Sequence, residues 1–154
     1  MAFRQPLAQV KRTQLVISKS MFMTSITKSE TTSDAKAFLA RIKIEFPNAS
    51  RNAYAFAIGH GQSVVEGKSD DSEPPGTAGH PTLAVIRGSK LGNICAVTTR
   101  FFGGIKLGTG GLVKAYTESV QLCLSSLVTE ENIQLDRFTM LVLCNHFNVV
   151  MSIL

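Results

Sequence analysis

Residues 99–116 read TRFFGGIKLGTGGLVKAY, in which Gly103, Gly104, Gly108, Gly110 and Gly111 are interleaved with Arg100, Lys106 and Lys114. β-Branched sequence runs up to this stretch and a helical apolar stripe leaves it, so the glycines fall between a strand and a helix. In that setting backbone N–H groups and the positive end of a helix can hold an anion. Two nucleotide loops are excluded by the wording. A Walker loop needs a lysine and a hydroxyl residue at its end, and GxGxxG needs glycine where Val113 stands. Two uses remain open: glycines for tight turns and close packing, and contact to phosphate through the backbone, Thr109 and the flanking basic residues.

Outward from this stretch, NICAVTTRFF (93–102) and TLAVIRG (82–88) read as two strands joined by a turn-like SKLGN. On the other side, LVKAYTESVQLCLSSLV (112–128) sets Leu112, Tyr116, Val120 and Leu124 four apart, which predicts a long helix starting near Gly111. Nearer the N-terminus, RTQLVISKSMFMTSIT (12–27) reads as a hairpin split at Lys19-Ser20. SDAKAFLARIKIEFP (33–47) reads as a helix with Ser33 or Asp34 as N-cap and Pro47 as stop. AYAFAIG (53–59) is a further strand, with QSVVEGK (62–68) continuing beyond a glycine turn. KSDDSEPPGTAGHP (68–81), with its prolines, glycines and carboxylates, is loop chemistry. The last stretch, DRFTMLVLCNHFNVVMSIL (136–154), reads as a strand entering a helix, too little to bury its own apolar face.

The chain has 154 residues, 44% hydrophobic and 18% charged, enough for one domain with a real core. No apolar run reaches transmembrane length and the start carries no signal-peptide pattern, so a soluble, cytoplasmic protein with no membrane partner is expected. Cys95, Cys123 and Cys144 sit apart among apolar neighbours and predict reduced thiols. His60, His80 and His146 lack metal-ligand spacing, so neither a metal nor a cofactor is expected.

The net charge is +5, and acidic residues are absent from 1–29 and from 74–117, which would favour polyanions if those segments share a face. Asp70, Asp71 and Glu73, with Thr77, are the candidates for catalysis in the proline-rich loop, through a shared cation or proton. No base for a Thr77 nucleophile is visible in the sequence.

SDDSEPPGTAGHP and VTTRFFGGIKLGTGGLVKAY together resemble the paired signatures of the YigZ and IMPACT family, over residues 15–128. The resemblance implies an α+β fold in which a mostly antiparallel sheet carries two helices on one face, like the second domain of a small-subunit ribosomal protein. It also implies that residues 1–132 form the family's N-terminal domain and that 137–154 begin an incomplete ferredoxin-like domain. Eukaryotic members act in translational control, so the family implies a translation-linked regulatory role and RNA or a ribosome-associated protein as partner. Phosphate contact would then fall to Arg100, Gly103, Gly104, Lys106, Gly108, Thr109, Gly110, Gly111 and Lys114. A hydrolase using Asp70, Asp71 and Glu73, or a protein-binding regulatory module, is the alternative. The chain departs from the family wording before the AY strand, where Arg51, Asn52 and Ala53 replace a His- and Cys-containing run, and at Ser72 and Pro75.

Overall fold

A computed structural model describes residues 2–133. In chain order the elements are β1 (Ala2–Pro6), β2 (Lys11–Ile17), β3 (Ser20–Lys28), α1 (Thr32–Glu45), β4 (Arg51–Ile58), β5 (Val65–Ser69), α2 (Gly79–Ser89), β6 (Ile94–Phe101), α3 (Gly108–Ser125) and β7 (Thr129–Ile133). Five strands form an antiparallel sheet in the order β2-β3-β6-β4-β5, and β1 pairs with β7 in a separate two-stranded ribbon. The fold class is α+β, as the two motifs imply. The expected start of a second domain at 137–154 lies outside the described residues.

The alternation of side chains along a strand sorts the core into two layers. Ala55 and Ala57 of β4 with Ile94 and Ala96 of β6 face α2 and α3, where they meet Leu83, Ile86, Val120 and Cys123. Phe56, Cys95 and Val97 face the other way and pack on Ala35, Phe38 and Ile42 of α1. Two helices thus share one face, α2 and α3, while α1 covers the opposite one.

Segment 82–88, expected as a strand, is the body of α2. The run of β-branched residues suits either element, but Thr82, Leu83 and Ile86 fall at helical spacing and are buried, Leu83 and Ile86 in one cluster with the alanines of β4. Small side chains at Ala55 and Ala57 leave room for a helix to lie close. The cap that starts α2 is not local: the Asp70 carboxylate accepts hydrogen bonds from the backbone N–H groups of Gly76, Ala78 and Gly79 at 3.0, 3.1 and 2.8 Å.

Two boundaries also move. The N-cap of α1 is Thr31, in a reciprocal capping box with Asp34, in place of Ser33 or Asp34. Helix α3 starts at Gly108, three residues ahead of the expected Gly111, so that Thr109, Gly110 and Gly111 belong to its first turn.

The β1–β7 ribbon docks at one end of the large sheet, where Gly92 N–H donates to the Arg4 carbonyl at 3.0 Å and Asn93 Nδ2 donates to Gln5 Oε1 at 3.0 Å. The opposite end is built from the β2–β3 turn, the start of β4, the end of β6 and the start of α3. The glycine-rich motif lies at that second end.

Candidate functional site

Arg51 begins β4 and Arg100 lies near the end of β6, and the antiparallel register sets them directly opposite each other. Like charges at such a pair repel. The proline-rich loop supplies the compensation: Glu73, 7% exposed, accepts two hydrogen bonds from Arg100 Nη1, at 2.8 and 3.1 Å. Its Oε1 lies 3.7 Å from Arg51 Nε, within ion-pair range but too far for a hydrogen bond. Tyr116 of α3 donates its hydroxyl to Glu73 Oε2 at 2.7 Å. Burial first, and then Glu73, push the Tyr116 hydroxyl far above the usual tyrosine range, so it stays a protonated donor.

Above this cluster is a cleft of about 540 Å³ lined by Arg51, Glu73, Arg100, Phe102, Lys106 and the first residues of α3, Gly108 and Thr109. The side chain of Leu107, the N-cap, makes no capping hydrogen bond, so the leading N–H groups of α3 have no side-chain acceptor from it. The Arg100 guanidinium lies 5.4 Å from the ring centre of Phe22 on one hand and 5.4 Å from that of Phe102 on the other. Phe101 packs edge-to-face on Phe46, whereas Phe102 is 50% exposed.

The glycines divide by role. Gly104 and Gly108 adopt left-handed φ of 89° and 74°. At Gly103 a Cβ would collide with the Lys19 carbonyl of the β2–β3 turn. By contrast, Gly110 meets nothing within 4 Å of a Cβ position, and at Gly111 the nearest atom is Leu107 Cβ at 3.1 Å. Turn geometry and close approach therefore account for Gly103, Gly104 and Gly108.

Of the basic candidates, Arg100 and Lys106 line the cleft. Lys114 stands one turn along α3, exposed and 3.9 Å from Glu118. Elsewhere three cations of the basic segments are tied to acids, Arg12 to Glu45 at 2.7 Å, Arg87 to Glu66 at 2.6 Å and Lys28 to Glu130 at 3.2 Å. Part of the positive charge of the basic segments is therefore neutralised within the fold.

The acidic candidates are each engaged within the fold. Asp70 caps α2, Asp71 accepts from Asn52 N–H at 2.7 Å, Glu73 serves the two arginines and Tyr116, and the Thr77 hydroxyl donates to the Pro74 carbonyl at 2.5 Å. Burial tends to raise the Asp70 carboxyl, but the N–H groups of Gly76, Gly79 and Ala78 outweigh it and hold the carboxyl below its ordinary range. Among the described residues no group of three His, Cys, Asp or Glu side chains is placed to hold a metal ion. Cys95 and Cys123 are buried free thiols, and among these residues no helix is long and apolar enough to cross a membrane.

Arg51 and Tyr116 were not among the candidates read from sequence. Tyr116 is legible there as part of a helical stripe, with nothing to mark its hydroxyl. Arg51 carries no motif of its own, and its role follows from the strand register.

The Impact N-terminal domain family matches residues 18–124, which include every residue lining the cleft. The chain belongs to this family. An IMPACT family member of Haemophilus influenzae is 46% identical over 119 residues, covering 77% of this chain and 58% of the relative. The solved structure of a hypothetical protein has a TM-score of 0.82 at 41% identity, covering 85% of this chain and 64% of that one. The two-domain translational regulator Yih1 shares the fold at a TM-score of 0.50 and 19% identity, over 79% of this chain and 48% of its own. This Impact N-terminal domain chain spans between 49% and 61% of the length of the curated relatives it matches.

Proposed function

We propose that this chain is a translation-linked binding module that contacts RNA phosphates through the cleft at the glycine-rich end of the sheet. One observation carries the reading. Arg51, Arg100, Lys106 and the start of α3 converge on a single cleft, whose lining holds three cations and one carboxylate, Glu73. Buried and half-buried charges are ordinarily matched, and an anionic ligand would complete the match here. The translation link is supported by the family and by the shared fold of Yih1, which is named a translational regulator.

Binding to single-stranded RNA should weaken with salt at a log-log slope of about 0.7 per phosphate contact, so about 2 for three contacts. A filter-binding titration of the full chain measures this slope. Absence of RNA binding at low salt would overturn the reading.

A ribosome-associated protein is the second candidate partner, favoured by exposed Phe102 and Ile105 at the same end, 50% and 44% exposed. Affinity capture on the full chain and on a Phe102→Ala variant tests it. Equal recovery by both would count against this face.

A further inference from the structure

We propose that the cleft is a subsite for one nucleoside phosphomonoester, with the phosphoryl group on Arg51, Lys106 and the leading N–H groups of α3, and the base on the Phe102 ring. This rests on the polyanion reading above but narrows it, from a phosphate track along a strand to a single terminal phosphate with its nucleoside.

Three independent observations lead there. The first is charge. Arg51, Arg100 and Lys106 bring three positive charges to the cleft lining and Glu73 brings one negative, leaving two in excess. A phosphodiester carries one negative charge, whereas a phosphomonoester carries about −1.5 to −2 at neutral pH.

The second is an unanswered donor. Arg100 is 6% exposed and lines the cleft, yet its Nε is buried without a hydrogen-bond partner. The Nε of Arg51, opposite it, is in the same condition. Such donors are costly to leave unmatched, and both arginines line the cleft together with a helix start whose N-cap side chain supplies no acceptor.

Size and lining are the third. A cleft of about 540 Å³ falls in the range of small-molecule sites. It offers one half-exposed aromatic ring, Phe102, with Arg100 beside it, enough to stack one base. Arg12, Arg87 and Lys28 are paired with Glu45, Glu66 and Glu130, so these three cations add little to a basic track along the flanks of the domain.

The free mononucleotide and the phosphorylated end of an RNA strand present the same chemistry. Fluorescence anisotropy on the full chain compares a short single-stranded RNA bearing a 5′-phosphate, a 3′-phosphate or hydroxyl at both ends. Calorimetry with a nucleoside 5′-monophosphate and with inorganic phosphate forms the other arm.

A phosphorylated end should bind about tenfold more tightly than the hydroxyl strand, a preference that Arg51→Gln removes. Lys106→Ala, at an exposed position, should weaken the same preference if Arg51→Gln fails to fold. Phe102→Ala should lower mononucleotide affinity at least about fivefold and leave inorganic phosphate unchanged.

Salt-dependent RNA binding indifferent to the terminal phosphate, with no mononucleotide binding, would overturn this inference and leave the polyanion reading standing. Mononucleotide binding without strand binding would do the reverse. Equal affinity for mononucleotide and inorganic phosphate would overturn the assignment of the base to Phe102.

Discussion

Tyr116 reaches from the middle of α3 to give its hydroxyl proton to Glu73 Oε2 at 2.7 Å, and this bond ties the two long motifs of the chain together. Glu73 belongs to the proline-rich stretch and Tyr116 to the glycine-rich one, with Arg100 completing the joint at 2.8 Å. Removing Glu73 should cost more than removing Tyr116, because it strands a buried guanidinium. Glu73→Ala is expected to lower stability by about 3–5 kcal/mol and Tyr116→Phe by about 1–3 kcal/mol. Urea denaturation of both variants and their double mutant gives the coupling. Additive losses would show that the two groups do not act through each other.

The Tyr116 bond also sets an alkaline limit. Burial and Glu73 raise its folded value above the unfolded one, so its contribution is complete below about pH 10 and declines as pH rises beyond it. The stability gap between the native chain and Tyr116→Phe should therefore narrow above about pH 10, measured by denaturation across an alkaline series.

Asp70 behaves with the opposite sign. Its folded carboxyl sits below the ordinary value because the N–H donors of Gly76, Gly79 and Ala78 outweigh the effect of burial. The capping contribution is present above about pH 4 and is lost as pH falls through the folded value. Asp70→Asn should destabilise by about 1–2 kcal/mol at neutral pH, and the difference should shrink in acid. A gap that stays constant down to the acid limit would show that Asp70 is not the cap.

Neighbouring glycines should respond in opposite directions. Gly108, at φ 74°, is strained by any side chain, and Gly108→Ala should cost about 1–2 kcal/mol. Gly110 is helical with open space at its Cβ, and Gly110→Ala should gain about 0.5–1 kcal/mol. Thermal unfolding of the pair reads both signs. Ser72 offers a matching test in the acidic loop, since it holds a left-handed φ of 68° and Ser72→Gly should relieve about 1 kcal/mol.

Cys95 is held out of thiol chemistry by its position. Burial in the sheet pushes its thiol up to about 12, which leaves almost no thiolate at neutral pH. Labelling by a thiol reagent, mapped by mass spectrometry, should reach Cys95 only at the rate of unfolding. Fast labelling in native buffer would contradict the burial.

Much of the architecture is legible from side-chain periodicity. The β2–β3 hairpin, β4, β6 and the apolar stripes of α1 and α3 follow from local pattern, because each buries a face its own sequence defines. Helix α2 does not, since its eleven residues include a β-branched run and its cap is a carboxylate eight residues before Ala78. The site divides along the same line. Arg100, Lys106 and the glycines stand within one motif, whereas Arg51 reaches the cleft only through the register that sets it against Arg100. Glu73 was legible as a carboxylate in a loop, but its work depends on partners 27 and 43 residues away.

The β1–β7 ribbon gives the domain a handle. Ala2 and Ile133 are register partners at the end of the sheet away from the cleft. The eight residues of β6 that separate the two ends span about 3.3 Å each, close to 25 Å in all. A dye, bead or fluorescent protein joined at either residue would stand clear of an incoming strand.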